Sequence, residues 1–300
     1  MDVFKVFLEN HKAYKELKGS DAVIANQGGQ GSSKTYSILQ LLIYIALGSN
    51  VPLRITIASY ALTHLRSGAL RDFEQILAGE GVNVPSIRNK SESLYKLNKS
   101  TIEFVGIEGN EARVVGPRRD ILYINEANRR ISYNVFELMN ARTSLATFID
   151  FNPSAPFWFH DEIQPNFKHV LIKSTYLDNP KIPARELQNL LSKKNKPGYE
   201  NWWKVYGLGE LGQLEGAIYT NWKFGAFDDS LPFGYGLDFG VKDPDAFVKV
   251  AIDRKAKRVY LKEELYTTGL ATNQLKDQLK VRLIKNCLLQ QYTCLLYRSL

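Results

Sequence analysis

Residues 26–35, NQGGQGSSKT, give the clearest indication of the fold of this chain. The stretch contains three glycines and then a lysine followed by a threonine: Gly28, Gly29, Gly31, Lys34 and Thr35. Glycines let backbone amides converge on an anion, a lysine reaches the outer phosphates of a nucleotide, and a hydroxyl ligates Mg²⁺. The flanking residues predict a short buried strand before the stretch and a helix after it. We therefore interpret the stretch as a phosphate-binding loop at a helix N-terminus.

One position departs from the usual pattern G-x-x-x-x-G-K-[ST], because Ser33 stands where a glycine precedes the lysine. Serine is small and is tolerated in the first turn of a helix, so we expect the departure to be mild. The alternative is a glycine-rich turn that ends in Lys-Thr by chance. If the loop binds a nucleotide, its contact residues are Gly28, Gly29, Gln30, Gly31, Ser32, Ser33, Lys34 and Thr35.

Two further predicted strands end in polar residues that suit nucleotide hydrolysis. The apolar run DILYINEA, residues 120–127, carries Asn125 and Glu126 near its end. Glu126 can polarise an attacking water, and Asn125 can orient a water on Mg²⁺ without bringing charge. The run ATFIDFNP, residues 146–153, carries Asn152, which could sense the γ-phosphate. Each strand end alone is compatible with an ordinary solvated turn, but together with the loop they favour a hydrolase site.

Strands that alternate with helices predict an α/β fold with a mostly parallel sheet and helices on both faces. The run THLRSGALRDFEQILAGEG, residues 63–81, predicts one of these helices. The sequence becomes polar and proline-containing near residue 178, and three strand-like runs after residue 230 predict an antiparallel meander. We expect three parts: a first domain at 1–177, a helical connector at 178–215 and a second domain at 216–300.

Composition narrows the class of protein. The chain has 300 residues, and its 39 basic and 31 acidic side chains give a net charge of +8, which favours polyanionic partners. Two cysteines, Cys287 and Cys294, argue against a disulfide framework and fit a reducing compartment. The longest apolar run, residues 38–47, is too short to span a bilayer. We therefore expect a cytoplasmic protein that does not associate with membranes.

Several unlinked motifs together resemble the large subunit of tailed-phage terminases, the DNA-packaging motors, and most of all the prophage PBSX type. Besides the loop, the motifs are GPRRD (116–120), YINEAN (123–128), DFNPSAP (150–156), VYGLGELGQLEGAIYTNW (205–222) and GYGLDFGVKDPDAF (234–247). The likeness spans roughly residues 20–270, and Asn125 matches the family's usual form. The resemblance implies an ASCE-type P-loop ATPase domain that uses ATP and Mg²⁺ to move double-stranded DNA into a procapsid.

The resemblance also implies roles for single residues. Lys34 and Thr35 would hold the phosphates and Mg²⁺, Glu126 would be the catalytic carboxylate, and Asn152 would couple hydrolysis to DNA movement. Many large terminases carry an arginine inside the loop where this chain has Gln30, so a charge-stabilising arginine must come from elsewhere in this subunit or from a neighbour. The candidates, with the favoured one last, are Arg66, Arg71, Arg118, Arg119 and Arg142.

The implied partners are double-stranded DNA, a small terminase subunit and the portal protein of the procapsid. The chain would act as a homo-oligomeric ring in the cytoplasm of the bacterial host. The stretch 191–204 combines lysines with aromatic residues, and it could contact the DNA backbone or could be a solvated connector. The alternative functions are a helicase-like P-loop ATPase and an inactive prophage remnant that binds nucleotide without hydrolysing it.

The family's C-terminal domain is an RNase H-like nuclease that cuts DNA with two metal ions, Mg²⁺ or Mn²⁺, held by acids. Asp238 fits the first of these catalytic, metal-binding acids, because small residues flank it on a predicted strand. After Glu264 the only acid is Asp277. We therefore expect an incomplete nuclease domain with an aberrant tail at 281–300, caused by a frameshift or truncation, and no metal-dependent cleavage; a native leucine-rich helix is the alternative. Weaker candidate acids are Asp243, Asp245, Glu263 and Glu264.

Overall fold

The computed structural model describes residues 3–89, 93–109, 116–213, 225–240 and 244–287. The chain divides into two compact units, Met1–Ala217 and Ile218–Leu300. The stretch predicted as a helical connector, 178–215, therefore groups with the first unit. In the described part of the chain, no helix is both long enough and apolar enough to cross a lipid bilayer.

The first unit is built on an eight-stranded sheet with the strand order β3-β4-β5-β2-β6-β7-β1-β8. In chain order the strands are β1 (Val23–Gly28), β2 (Arg54–Ser59), β3 (Arg88–Asn89), β4 (Leu94–Leu97), β5 (Ser100–Gly106), β6 (Arg119–Ile124), β7 (Thr143–Phe151) and β8 (His169–Ser174). In this spatial order, every pairing from β5 through β2, β6, β7 and β1 to β8 is parallel. At one edge, β3 pairs with β4 and β4 pairs with β5, both antiparallel. The predicted α/β fold with a mostly parallel sheet is confirmed.

Helices cover both faces of this sheet. Among the described residues of the first unit, the helices with four or more residues are α1 (Lys5–Leu17), α2 (Lys34–Gly48), Leu62–Ser67, Ala69–Gly79, Val84–Ile87, Tyr133–Asn140 and Ala184–Leu191. The π-helical turns lie at Phe159–Ile163 and Trp203–Gly207. Alternate residues of β1 face opposite ways: Ile24 packs with α1 and α2, whereas Val23 and Ala25 pack with helix Tyr133–Asn140. This two-sided burial explains why β1 is continuously apolar up to its polar end.

The helix predicted over residues 63–81 differs from the structure in one respect. Two helices, Leu62–Ser67 and Ala69–Gly79, replace it, and they meet at Gly68. Gly68 has φ −127° and ψ −100°, which is not a helical conformation. The second helix turns its apolar side chains, among them Phe73, into the core against Tyr95 and Phe104.

The second unit contains a three-stranded antiparallel sheet, as the sequence predicts, with the order β11-β10-β9. Its elements are β9 (Phe233–Asp238), β10 (Asp245–Asp253), β11 (Arg258–Thr267) and a helix at Thr272–Cys287. One face of β10 is buried and includes Phe247 and Lys249, whose ammonium pairs with Asp229 at 2.7 Å. Most of the tail predicted at 281–300 lies outside the described residues, which end at Cys287.

Candidate active site

The loop of residues 29–33 joins the end of β1 to the start of α2 at the carboxyl edge of the sheet. The amide of Gly29 donates to the carbonyl of Ser174 at 3.0 Å, and the amide of Gln30 donates to the carbonyl of Tyr206 at 2.8 Å. The first two loop amides are therefore engaged by protein, and an anion would be held by the amides further along. The hydroxyl oxygens of Ser32 and Ser33 are buried and have no hydrogen-bond partner among the described residues.

Glycine is required in this loop by close packing as well as by backbone freedom. A Cβ atom at Gly28 would lie 2.9 Å from the carbonyl oxygen of Ser174, and one at Gly29 would overlap the carbonyl oxygen of Tyr206. Gly31 has φ 68°, a left-handed conformation that favours glycine. A larger residue at Gly28 or Gly29 would displace the backbone of Ser174 or Tyr206, which packs against the loop.

Part of the predicted connector lies over the loop within the first unit. The side chain of Asn179 donates to the carbonyl of Gly31 at 2.8 Å. The side chain of Gln27 donates to the carbonyl of Gly209, also at 2.8 Å. This segment therefore shapes the candidate site, a role that its polar, proline-containing sequence did not indicate.

The conformation of Ser33 contradicts the expectation that a serine before Lys34 is tolerated as a residue of the first helical turn. Its backbone has φ 62° and ψ 7°, which is left-handed, and α2 begins only at Lys34. L-residues other than glycine adopt this conformation at a cost of about 1–2 kcal/mol. The usual glycine at this position thus has a backbone reason, and the serine carries strain.

We expect Ser33→Gly to be more stable than Ser33→Ala by about 1 kcal/mol, because only glycine relieves the left-handed backbone. Both variants lack the hydroxyl, so their difference isolates the backbone term. Urea unfolding followed by circular dichroism measures it. Equal stability of the two variants would show that the loop is not strained at residue 33.

Lys34 projects from the start of α2 back over its own loop. Its Nζ donates to the carbonyl of Gly29 at 3.3 Å. Burial holds the pKa of Lys34 below its usual value, although the carboxylates of Asp150 and Glu126 act to raise it. The ammonium therefore lies among the loop and the two acids, where a phosphate would replace part of its lost hydration.

A buried carboxylate, Asp150, joins the loop to the other candidate residues. The hydroxyl of Thr35 donates to its Oδ2 atom, and the side-chain amide of Asn125 donates to its Oδ1 atom at 3.0 Å. The backbone amide of Glu126 also donates to Oδ1, at 2.8 Å. Asp150 is 1% exposed. Sequence reasoning missed this residue, although it is a charged residue near the end of an apolar strand and opens the DFNPSAP motif.

Glu126 lies next to this network and has a positive φ of 55°, which is uncommon for a residue with a side chain. Its carboxylate is partly exposed and lies 3.3 Å from Nε of Arg129. Strained backbone of this kind clusters at functional sites, so the observation favours a functional position for Glu126. Arg129 was also missed, and the signal for it was its place three residues after the acid.

Asn152 ties the end of β7 to the start of the loop. Its side-chain amide donates to the carbonyl of Gly28 at 2.7 Å, and its own carbonyl accepts from the side chain of Asn128 at 2.9 Å. The structure therefore brings the loop, Asn125, Glu126 and Asn152 together at one edge of the sheet.

Within this chain, the favoured arginine candidate, Arg142, lies away from the loop. Arg142 immediately precedes β7, whereas Asp150 lies near the end of that strand, and nine residues of strand span about 30 Å. Arg66 and Arg71 are exposed on the helices Leu62–Ser67 and Ala69–Gly79. A cavity of about 830 Å³ at the opposite, amino edge is lined by residues including Arg54, Arg118, Arg119, Asp120 and Arg142.

The lysine-rich stretch 191–204 places cations beside aromatic rings of its own segment. Nζ of Lys196 lies 4.5 Å from the ring centroid of Tyr199, and Nζ of Lys194 lies 5.8 Å from that of Trp203. Contact with a DNA backbone stays a prediction for this stretch.

The candidate nuclease acids do not form a metal cluster in the part of the second unit that the structure describes. Asp238 is exposed at the end of β9, and Asp245 is buried and accepts from the amide of Gly240 at 3.0 Å. Glu263 and Glu264 lie on β11, and Asp243 lies outside the described residues. Across the described ranges, no group of three or more histidine, cysteine, aspartate or glutamate side chains could hold a metal ion.

Comparison with solved structures identifies the fold. The large terminase of a thermophilic bacteriophage aligns with a TM-score of 0.59 at 16% identity, over 98% of this chain and 76% of that protein. The same terminase in complex with ADP aligns with a TM-score of 0.58 at 14% identity, over 98% and 77%. The large terminase of bacteriophage HK97 aligns with a TM-score of 0.58 at 12% identity, over 99% and 70%.

No protein-family model matches the sequence, and no curated protein matches it significantly. The structural similarity is found at identities that establish the fold alone. The chain therefore has the fold of the large terminases.

Proposed function

We propose that this chain is the ATP-hydrolysing large subunit of a tailed-phage terminase, which drives double-stranded DNA into a procapsid. The observation that carries the proposal is the hydrogen-bonded path from Thr35 in the loop, through Asp150, to Glu126. The solved structures of similar fold include a large terminase bound to ADP and one bound to ATP-γ-S.

In this proposal the loop and Lys34 hold the β- and γ-phosphates. Amides at the loop's later positions and the positive end of α2 would face the phosphate oxygens. The ammonium of Lys34 already lies beside the loop carbonyl of Gly29, at 3.3 Å. Burial strengthens its attraction to a phosphate, because water screens the pair less.

The oxygen donors beside the loop fit Mg²⁺, which prefers hydroxyl, carboxylate and phosphate oxygens. Thr35 would hold the ion, and Asn125 would orient a water bound to it. Mg²⁺ supplies neutralisation of the charge that develops on the phosphates during hydrolysis. The side-chain amide of Asn125 is fixed by its contact with Asp150 at 3.0 Å, so its orientation is set before nucleotide binds.

Glu126 would orient and deprotonate the attacking water. The backbone amide of this residue is anchored at 2.8 Å, while its partly exposed carboxylate contacts an exposed arginine, Arg129, at 3.3 Å. Asn152 would couple hydrolysis to movement of the DNA, since its contact with the carbonyl of Gly28 connects the loop to the end of β7. A charge-stabilising arginine is supplied by Arg129 of the same chain or by Arg142 of a neighbour in a ring.

The remaining partners follow from the proposed role. Double-stranded DNA is the substrate that is moved, and the net charge of +8 suits its backbone. A small terminase subunit and the portal protein would complete the packaging assembly. A helicase built from two similar ATPase domains is disfavoured, since the second unit contains an antiparallel three-stranded sheet where such a domain would stand.

ATP hydrolysis by the purified chain, measured with and without double-stranded DNA, tests this function. We expect Mg²⁺-dependent hydrolysis that random-sequence DNA accelerates severalfold, with the acceleration lost as salt rises because backbone contacts are electrostatic. Nucleotide binding without hydrolysis in either condition would indicate the inactive remnant. The absence of nucleotide binding would overturn the site itself.

A further inference from the structure

We propose that Asp150 supplies the acidic charge at the magnesium position and so replaces the strand-end acid that Asn125 does not provide. This inference rests on the proposed function and assigns a residue that neither the loop pattern nor the acid-ended strand indicates. It concerns the same site and predicts how the nucleotide affinity of that site depends on Mg²⁺.

The need for such a residue follows from the chemistry of the ion. P-loop ATPases hold Mg²⁺ between the loop hydroxyl and an aspartate at the end of a neighbouring strand. Mg²⁺ in such sites is bound through one or two carboxylates together with phosphates and waters. The strand-end position here is Asn125, which is neutral. A site built from Thr35 and Asn125 alone would lack an anionic protein ligand.

The sheet places Asp150 where this charge is missing. β7 pairs with β6 in a register that sets Ile149 beside Ile124, so Asp150 follows at the level of Asn125. On its other side β7 pairs with β1, where Asp150 lies beside Asn26, shortly before the loop begins its turn. The carboxylate is therefore displaced by one strand, about 4.8 Å, toward the loop.

The contacts of Asp150 point it at the ion position. Its Oδ2 atom accepts from the hydroxyl of Thr35, the group that ligates Mg²⁺ in such loops. Its other hydrogen-bond donors include the side chain of Asn125 at 3.0 Å, the amide of Glu126 at 2.8 Å and the hydroxyl of Tyr123, all of them neutral. Burying a carboxylate at 1% exposure is costly. The nearby ammonium of Lys34 offsets part of that cost, and a divalent cation bound beside the carboxylate would offset more of it.

A purely structural role for Asp150 makes a different prediction. If the carboxylate only fixes the strained backbone of Glu126, its loss should weaken nucleotide binding equally with and without metal. If it supplies the charge for Mg²⁺, its loss should affect only the part of the affinity that Mg²⁺ adds.

Binding of a fluorescent ATP analogue, measured in excess Mg²⁺ and in EDTA, separates these two roles. We expect Asp150→Asn to lose about 10-fold or more of the Mg²⁺-dependent gain in affinity, the size of loss typical for residues that support a metal site. Its affinity in EDTA should stay within about twofold of the wild type. The double variant Asn125→Asp with Asp150→Asn returns an acid to the neighbouring strand and should regain the Mg²⁺ effect.

The remaining outcomes separate a failure of this inference from a failure of the proposed function. An unchanged Mg²⁺ effect in Asp150→Asn, or an equal loss with and without Mg²⁺, overturns the inference while the proposed function stands. A wild-type chain that binds no nucleotide overturns the proposed function instead. If Asp150→Asn does not fold, the wild-type chain provides the test. Fe²⁺ takes the place of Mg²⁺ in the presence of ADP, and ascorbate and peroxide are then added so that the bound iron cuts the nearby backbone. We expect cuts beside Thr35 and Asp150. Cuts that include Thr35 and spare Asp150 would overturn the inference.

Discussion

Lys34→Ala should lower the affinity of the chain for ATP by at least about 30-fold. Removing one partner of a buried, hydrogen-bonded charge pair costs about 2–5 kcal/mol, and the ammonium of Lys34 is held at the loop where the phosphates would lie. The fold should survive, because burial already lowers the pKa of Lys34 and the free protein gains little from this charge. Titration calorimetry with ATP and Mg²⁺ measures the loss.

The matched control is Lys12→Ala, which removes a lysine from α1 at a distance in sequence from the loop. Its ATP affinity should equal that of the wild type. If Lys34→Ala binds ATP as well as this control does, the loop is not the phosphate site.

Glu126→Gln should slow ATP hydrolysis by about 10²–10⁴-fold, the range expected when a general base is removed. Glutamine keeps the shape of the side chain and the backbone amide that donates to Asp150 at 2.8 Å. ATP binding should therefore remain close to that of the wild type, and the variant should retain ATP unhydrolysed. Phosphate release and equilibrium binding, measured on the same preparation, separate the two effects.

An exposed acid on the helix Tyr133–Asn140 provides the control, since Glu137→Gln makes the same chemical change away from the loop. Hydrolysis by Glu126→Gln at the rate of the Glu137→Gln variant would remove Glu126 from the mechanism. Equal loss of binding and hydrolysis would instead assign Glu126 a structural role.

Local sequence was sufficient to predict the core of the fold. The apolar residues that flank the loop indicated a strand before it and a helix after it, and both are present. Continuous apolar runs identified β2, β6 and β7 because strands of a parallel sheet are buried on both faces. The break at Gly68 was not foreseen, since an isolated glycine in an amphipathic helix is often tolerated.

The acidic centre of the site could not be predicted from local pattern, because it depends on strand order. Asp150 reaches Thr35 across 115 positions of sequence, and it does so because β7 lies between β6 and β1. Nothing within either stretch specifies that neighbourhood. The left-handed backbone of Ser33 was also hidden, since a serine in a loop pattern does not reveal its φ.

The sequence positions of the arginines relative to the predicted strands could have indicated which edge of the sheet each arginine occupies. Parallel strands place their carboxyl ends at one edge, where ligands bind, so a residue that precedes a strand lies at the other edge. Arg118 and Arg142 precede β6 and β7 and therefore line the far cavity. Arg129 follows β6 and lies beside Glu126, as that rule requires.

A crystal structure of this chain with a non-hydrolysable ATP analogue and Mg²⁺ would show whether the loop and Glu126 hold a nucleotide between them. We expect the triphosphate to lie on the amides of residues 31–35, with Nζ of Lys34 about 2.8 Å from a phosphate oxygen. The carboxylate of Glu126 should then face the γ-phosphorus. A nucleotide bound away from this loop, or one whose terminal phosphate is out of reach of Glu126, would contradict the account.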